Sequence, residues 1–518
     1  MLQMLFFIGN FMLSPSYLDS LPDSFVKLFQ EVEEQILQDV ARRIGKMDAL
    51  TPTANWQLWR YQQTEAVRKD VVKLLARYTG KSEAEIRRLM QEAAAAALEA
   101  EDEIYYHYGK EPTPFEESTP LQNLLNAGYR QTAGSFSNLT ATTANTVSGA
   151  FEQALDRAWL QVSSGAFDYK TAVKRAVDGL ADSMPYVTYP SGHRDTLEVA
   201  CRRAVLTGVN QTGAKLQEAR MDEMGASFVE VTAHGGARPS HAVWQGRRYH
   251  RGGAVDYLGQ HYEDFESATG YGTGAGLCGW NCRHTFFVVF PELGSPPAWT
   301  QESLEALNAR NIEYDSKLYT RYEISQMQRA RERAVRKWKR RYLAEDAAGA
   351  DTTASAVKLR QARQSLADFT RATGGRVDSA RTSVHGFGRS EGSKASYAAR
   401  KQERFNAANT ELQQMREAGT IKAKGRLIES PSAPNEINFA SDHVLQRWAE
   451  RGMGPMDAER IIRSSKVAMS QRNGTQTCYY SELGFVAIGQ DGNVSSIGPL
   501  DEGGKKLMEV VKKHGIPH

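Results

Sequence analysis

The chain has 518 residues, enough for about three or more domains, and its 41% apolar and 24% charged residues are those of an ordinary globular protein. That balance excludes collagen, wholesale disorder and a multispan membrane protein. Lys+Arg 64 against Asp+Glu 61 leaves a net charge of +3, which argues against a histone-like nucleic-acid coat but averages over local charge runs; Cys201, Cys278, Cys282 and Cys478 are too few for a disulfide scaffold.

Residues 1–13, MLQMLFFIGNFML, are apolar but stop at Ser14-Pro15. A spanning helix needs about 20 apolar residues. No Lys or Arg precedes the run and no small-residue cleavage site follows it, so it reads as neither signal peptide nor membrane span. Met12 is an alternative start, and an intracellular, thiol-reducing compartment is the expectation.

From 24 to about 228 the pattern is mostly helical. Phe25, Leu28, Phe29, Val32, Ile36 and Val40 recur at helix spacing, with Asp23 or Ser24 as the cap. Gly80, Pro112-Thr113-Pro114, Gly165 and Pro185/Pro190 punctuate the series. The Ser, Thr, Asn and Ala-rich stretch 117–160 is either a long helix on a shared interface or a mobile arm. A further helix spans 191–224. Phe228, Val229 and Val231 then read as a strand, 233–284 is rich in Gly, His and aromatics, and Thr285–Phe290 is a second strand. Helix returns over 301–343, with Ala330, Ala334, Trp338 and Tyr342 as a stripe. Residues 344–435 are polar, with a helix over 395–418. Finally, 436–518 holds a helix from His443 to Arg451, a second one from Pro455, four strands (466–470, 476–481, 484–489 and 494–498) and a basic helix over 505–513.

The chain therefore reads as a multidomain α+β protein. A helical trunk covers 12–228, an α+β unit with a basic helix 229–345, a polar helical or flexible linker 346–435, and a small helix-plus-antiparallel-sheet domain 436–518.

Residues 276–284 read GLCGWNCRH, with His234, His241 and His250 upstream. Two Cys and two His can close a tetrahedral zinc site, and the expected set is His241, Cys278, Cys282 and His284. On a strand, Cys282 and His284 would share one face. Without a metal, the same residues are buried thiols and a hydrogen-bonded imidazole. The strings RPSHAVWQGRRYH (238–250) and TGYGTGAGLCGWNCRHTFFVVFP (269–291) resemble the phage minor capsid protein 2 family, related to phage Mu F-type head-morphogenesis proteins. Their Asn-Cys-Arg-Cys or Asn-Cys-Arg-His element corresponds to Asn281-Cys282-Arg283-His284. The resemblance covers 12 to about 345. It implies a virion structural protein in few copies, near the portal in the capsid interior, with portal and capsid proteins and packaged double-stranded DNA as partners and no membrane.

Arg329, Arg331, Arg333, Arg336, Lys337, Lys339, Arg340 and Arg341 crowd one helix, opposed only by Glu332. Such a run either contacts nucleic-acid phosphates or forms a solvated face. The head location implied by the resemblance favours DNA, with Arg333, Arg336, Lys337, Arg340 and Arg341 as the contacts.

In the last domain His443, Arg447 and Arg451 stand at i, i+4 and i+8, one polar stripe on a helix. Metal-independent RNA cleavage needs a base, an acid and cations for the crowded phosphorane. His443 suits the first roles and the arginines the last. Thr477, Tyr479 and Ser496 on the strands are candidates to complete the set, and RNA is selected through its 2′-hydroxyl. DHVLQRWAERG (442–452) with four strands resembles the phage-associated barnase–EndoU–colicin–RelE-like nuclease fold. That likeness implies an endoribonuclease effector in 436–518, needing no cofactor and acting on host RNA or tRNA in the host cytoplasm. A polymorphic toxin packaged through a capsid-type trunk, and a purely architectural virion protein with an inactive C-terminal binding module, are the competing readings.

Overall fold

The computed structural model describes residues 13–47, 53–164, 166–183, 186–189, 193–422, 424–429, 431, 434, 437–439 and 442–516. Apart from Leu13, the apolar N-terminal run lies outside the described residues. The chain divides into two compact units, Met1–Arg389 and Ser390–His518.

The first unit begins with α1 (Pro15–Ser20), α2 (Asp23–Gly45), α3 (Thr53–His107), α4 (Thr119–Ser163) and α5 (Tyr169–Ser183). A short antiparallel pair, β1 (Tyr186–Thr188) and β2 (Arg194–Thr196), leads into α6 (Leu197–Met224). The stripe Phe25, Phe29, Val32, Ile36 and Val40 is buried in one core with residues of α3 to α6. Helix α2 starts at Asp23 after Pro22. Neither expected residue caps it, and Asp23 instead meets the positive end of the helix dipole. Gly80 does not break α3, which runs through it for 55 residues. An interior glycine costs about 1 kcal/mol, little against the burial of Val67, Val71, Leu75, Ile86 and Met90.

The small-residue stretch 117–160 forms the 45-residue helix α4. Its small side chains let α4 and α6 approach closely. A Cβ at Gly128 would lie 2.1 Å from Thr212 Oγ1, and one at Gly208 2.2 Å from Thr132 Oγ1. Each threonine hydroxyl donates back to its own helix, to Gly208 and Gly128 respectively, so no polar group is stranded by the contact.

A five-stranded sheet follows, built from β3 (Phe228–Val231), β4 (Arg248–His250), β5 (Val255–Tyr257), β6 (Gln260–Asp264) and β7 (Phe286–Val288) in the order β5-β6-β4-β3-β7. All pairs are antiparallel except β4 with β6. The one-turn helices α7 (Pro239–Ala242) and α8 (Phe265–Thr269) lie in its connections.

The single helix expected over 301–343 is two. Helix α9 (Gln301–Asn308) is followed by the hairpin β8 (Ile312–Tyr314) and β9 (Lys317–Tyr319), then by α10 (Arg321–Ala347). Asp315 and Ser316 take φ of 50° and 59°, the paired left-handed residues of a two-residue hairpin turn. A capping box between Thr320 and Glu323 starts α10. Helix α11 (Thr353–Ala372) packs on α10, and α12 (Ser379–Thr382) follows.

The polar stretch 346–435 is shared between the units. Its last helix, α13 (Arg389–Glu417), belongs to the second unit from Ser390 onward, where Phe405, Ala408 and Leu412 are core residues. That unit then holds β10 (Arg426–Glu429), α14 (Asp442–Glu450), α15 (Pro455–Ser464), β11 (Val467–Gln471), β12 (Gln476–Ser481), β13 (Gly484–Gly489), β14 (Val494–Gly498) and α16 (Glu502–Lys513). The sheet is antiparallel in the order β10-β11-β12-β13-β14, five strands where the sequence pattern indicates four. Alternate residues serve two cores. Val467, Met469, Cys478, Tyr480 and Ala487 pack with α13 and α16. Ala468, Tyr479, Val486, Ile488 and Ile497 pack with Trp448 of α14 and Ile461 of α15. The unit is a three-layer sandwich, and covering both faces makes its strands nearly continuous apolar runs. Among the described residues, no helix is long and apolar enough to cross a membrane.

Candidate metal centre

The lead-in to β7 runs alongside the end of β3. The Thr285 amide donates to Thr232 Oγ1 at 2.9 Å, and the Thr232 amide to the Thr285 carbonyl at 2.9 Å. This extends the ladder and carries Cys282 and His284 to the edge of α7, where His241 sits. Asn210, buried on α6, donates its amide to the carbonyls of Cys282 (3.1 Å) and His284 (3.1 Å), clamping the turn from behind.

Three polar atoms converge there. His241 Nδ1 and His284 Nδ1 are 3.4 Å apart, and Cys282 Sγ lies 3.7 Å from the first and 3.6 Å from the second. The outer nitrogens are held as well. His241 Nε2 is 3.0 Å from the Ala275 carbonyl, and His284 Nε2 is 3.0 Å from Gln245 Oε1. The Gln245 amide orientation is fixed because the same oxygen accepts from the His234 backbone N–H at 3.1 Å and its nitrogen donates to Asn308. His234 stacks on His284 with ring centroids 4.4 Å apart, and Trp244 stands edge-on to His284.

The fourth expected ligand does not join the set. Cys278, in the left-handed conformation at φ 57°, turns its Sγ to the His284 carbonyl at 3.6 Å. The sequence spacing brings the two cysteines near each other, but the Gly-rich loop between Gly270 and Gly279 aims Cys278 elsewhere. That loop closes tightly on itself: a Cβ at Gly276 would meet the Gly270 carbonyl oxygen at 1.9 Å. Gly276→Ala should therefore cost about 1–3 kcal/mol, read as a lowered thermal midpoint of the first unit; an unchanged midpoint would contradict this account of the loop.

Burial lowers the basicity of all three neighbouring imidazoles; Arg283 adds to it at His234, Arg238 and His234 at His241, and the other two histidines with Arg283 and Arg238 at His284. His234 and His241 fall to about 4 and His284 well below its ordinary value. Burial likewise raises the Cys282 and Cys278 thiols.

His241, Cys282 and His284 also line a cavity of about 570 Å3 whose other walls carry seven arginines (Arg202, Arg238, Arg283, Arg329, Arg333, Arg336 and Arg381) against five carboxylates (Asp19, Asp23, Glu198, Glu332 and Asp378). Four of these arginines bear on one carboxylate. Burial works to raise Asp19, but Arg202, Arg283, Arg381 and Arg329 together hold it below the usual range. Burial, with Arg381 and Arg283 beside it, brings Arg329 down to about 10.

Four cations of the basic run of α10 pair with acids of the helical trunk. Arg336 pairs with Glu198, Lys337 with Asp182 at 3.1 Å, and Arg340 with Glu34 at 2.8 Å and Glu33 at 3.4 Å. Arg341 donates to Asp178 at 3.0 Å. Of the five expected DNA contacts, only Arg333 is exposed without an ion pair among the described residues. The expected stripe is corrected too: Ala330 is exposed, whereas Glu332, Val335, Arg340, Tyr342 and Glu345 are buried. Helix α10 docks through charge as much as through apolar surface: Arg336, Arg340 and Arg341 form an internal ion-pair seam, while Arg333 and Lys337 stay exposed.

In the second unit, His443 and Arg447 stand on α14, with side chains outside the described residues. Trp448 of the same helix is buried against the sheet. Arg451 donates to the Ile497 carbonyl at 2.9 Å. The register pairs Thr477 with Ile488 and Tyr479 with Val486, the face under α14 and α15. Ser496 pairs with Ala487, which belongs to the opposite core. Tyr479 is only 2% exposed. The six candidates thus do not form one cluster: Ser496 is separated by the sheet, and Arg451 is committed to a main-chain carbonyl. Asn210 and Gln245, which position the Cys–His centre, carry no local sequence signal, because their partners are distant in the chain.

A family model described as Phage minor capsid protein 2 matches residues 13–371. The match takes in the helical trunk, the mixed sheet with its Cys–His centre and the ion-paired helix α10, and ends within the last turn of α11. The chain is thus a structural protein of a phage head, resident in the virion with other capsid proteins. It belongs to the phage minor capsid protein 2 family. No curated protein and no solved structure matches it.

Proposed function

We propose that the chain is a portal-proximal head-morphogenesis protein whose second unit is a metal-independent ribonuclease effector. The first half is carried by the family match over 13–371. The second half is supported by a compact unit that lies outside the match, has a two-sided core of its own, and sets the helix bearing His443 over the sheet face bearing Thr477. In this reading His443 exchanges the proton and Arg447 meets the phosphate. Thr477 lies on the same side. Tyr479 acts by supporting that face from within, and Ser496 and Arg451 are structural.

With EDTA present, the full-length protein and the unit from Ser390 should both cleave tRNA or total RNA and spare DNA. His443→Ala should slow cleavage about 10^2–10^4-fold. Intact RNA from folded protein would reject the effector. The second reading, an architectural binding module, is favoured by the separation of Ser496 from α14 and by the main-chain role of Arg451.

A further inference from the structure

We propose that His241 Nδ1, Cys282 Sγ and His284 Nδ1 bind one zinc ion, with Cys278 outside the shell and the fourth position open to the arginine-lined cavity. The distances carry this. A tetrahedral ion with Zn–N of about 2.05 Å and Zn–S of about 2.3 Å sets its ligand atoms about 3.4 Å (N to N) and about 3.6 Å (N to S) apart. The observed edges are 3.4 Å, 3.7 Å and 3.6 Å. Three edges of a zinc tetrahedron are thus present on buried side chains whose ligand atoms all lie within 4.8 Å of one another.

Proton accounting points the same way. Both outer nitrogens face acceptors, the Ala275 carbonyl and an oxygen of Gln245 already fixed by the His234 amide. Each Nε2 therefore carries its ring's proton, and each Nδ1 presents a bare lone pair to the other. The Cys282 thiol has one proton and can satisfy only one of them. A cation between the three satisfies all, and the Nε2 contacts become the outer-shell bonds that orient zinc-binding histidines. Closed structural sites use four protein ligands, whereas sites with three leave a position for an exogenous oxygen. Here that position faces a cavity whose seven arginines outnumber its five carboxylates, Asp19, Asp23, Glu198, Glu332 and Asp378, a cationic excess that favours water-derived hydroxide or the oxygen of a small anion.

Full-length protein purified from zinc-supplemented cells should hold one zinc per chain by elemental analysis. Cys282→Ser and His284→Gln should bring it to about a tenth or less, while Cys278→Ser keeps it. Gln245→Met should retain zinc but weaken it about 10–100-fold in chelator competition. Cobalt-substituted wild type covers the case in which a variant fails to fold. It should show tetrahedral d–d bands, charge transfer from a single thiolate, and a shift of the d–d bands on adding azide or inorganic phosphate. Metal-free protein after metal-replete purification, weak octahedral bands, or a two-thiolate spectrum would overturn the centre. Bands indifferent to both anions would overturn the open position.

Discussion

Replacing Arg340 by methionine is expected to cost about 3–5 kcal/mol of stability, the cost of removing one partner from a buried ion pair. Arg340 reaches from α10 to two adjacent carboxylates of α2, with Nε 2.8 Å from Glu34 and Nη1 3.4 Å from Glu33. Both glutamates are buried. Glu33 Oε1 also accepts the Glu198 backbone amide at 3.0 Å, and Glu198 pairs with Arg336, so the carboxylates are locked into the seam. Without the guanidinium, two neighbouring carboxyls face each other in a dry interior and cannot both ionise. Burial already raises both, Glu34 to about 7, although Arg340 opposes it. The loss should therefore be largest near pH 8 and smaller near pH 5, where the carboxyls take up protons. Urea unfolding at the two pH values reads this directly. Adding Glu34→Gln to Arg340→Met should recover part of the loss. Arg371→Met, which breaks an exposed pair with Asp368, should change stability by less than about 0.5 kcal/mol. Equal losses from Arg340→Met and Arg371→Met would show that the seam does not hold α10 to the trunk.

That seam shows where sequence reading stops. Eight cations on one helix are visible at once, but the acids that pair with four of them sit on α2, α5 and α6, and nothing local announces Glu33, Glu34, Asp178, Asp182 or Glu198 as partners. The strand β10 was hidden for the same reason. Arg426–Glu429 acquires strand character from its pairing with Val467–Ser470, a non-local contact. By contrast, β12, β13 and β14 were legible to the residue, because apolar runs end at Gly474, Gly484 and Asp491-Gly492. The i, i+2 relation of Cys282 and His284 was equally readable, since an extended chain sends both to one side. What spacing could not supply was the left-handed turn at Cys278 that takes it out of the cluster.

Glu101→Gln is expected to leave the fold intact and remove a large part of its sensitivity to alkali. Glu101 lies on α3 and is 1% exposed. Its oxygens accept the Val288 backbone amide and the Gln217 side-chain amide, each at 3.3 Å, and no described cation lies within ion-pair distance. Burial raises its carboxyl to about 8; the amide bonds and more distant Arg220 oppose the shift, and Asp102 adds to it. The folded-state value stands above the unfolded one. Its stabilising contribution is therefore complete below the ordinary value of 4.5 and is lost as pH climbs through about 8. Within that window one such group imposes a fall of about 1.4 kcal/mol per pH unit. Glutamine is neutral throughout, so the variant should match wild type near pH 5 and exceed it increasingly towards pH 8. Glu34, Asp102 and Glu345 are raised as well, so wild type and variant share a background slope that cancels in the difference. Parallel stability curves between pH 5 and 8 would mean that Glu101 is ionised in the folded protein. The joint it forms between α3 and β7 would then have to be held by charge rather than by a neutral carboxyl.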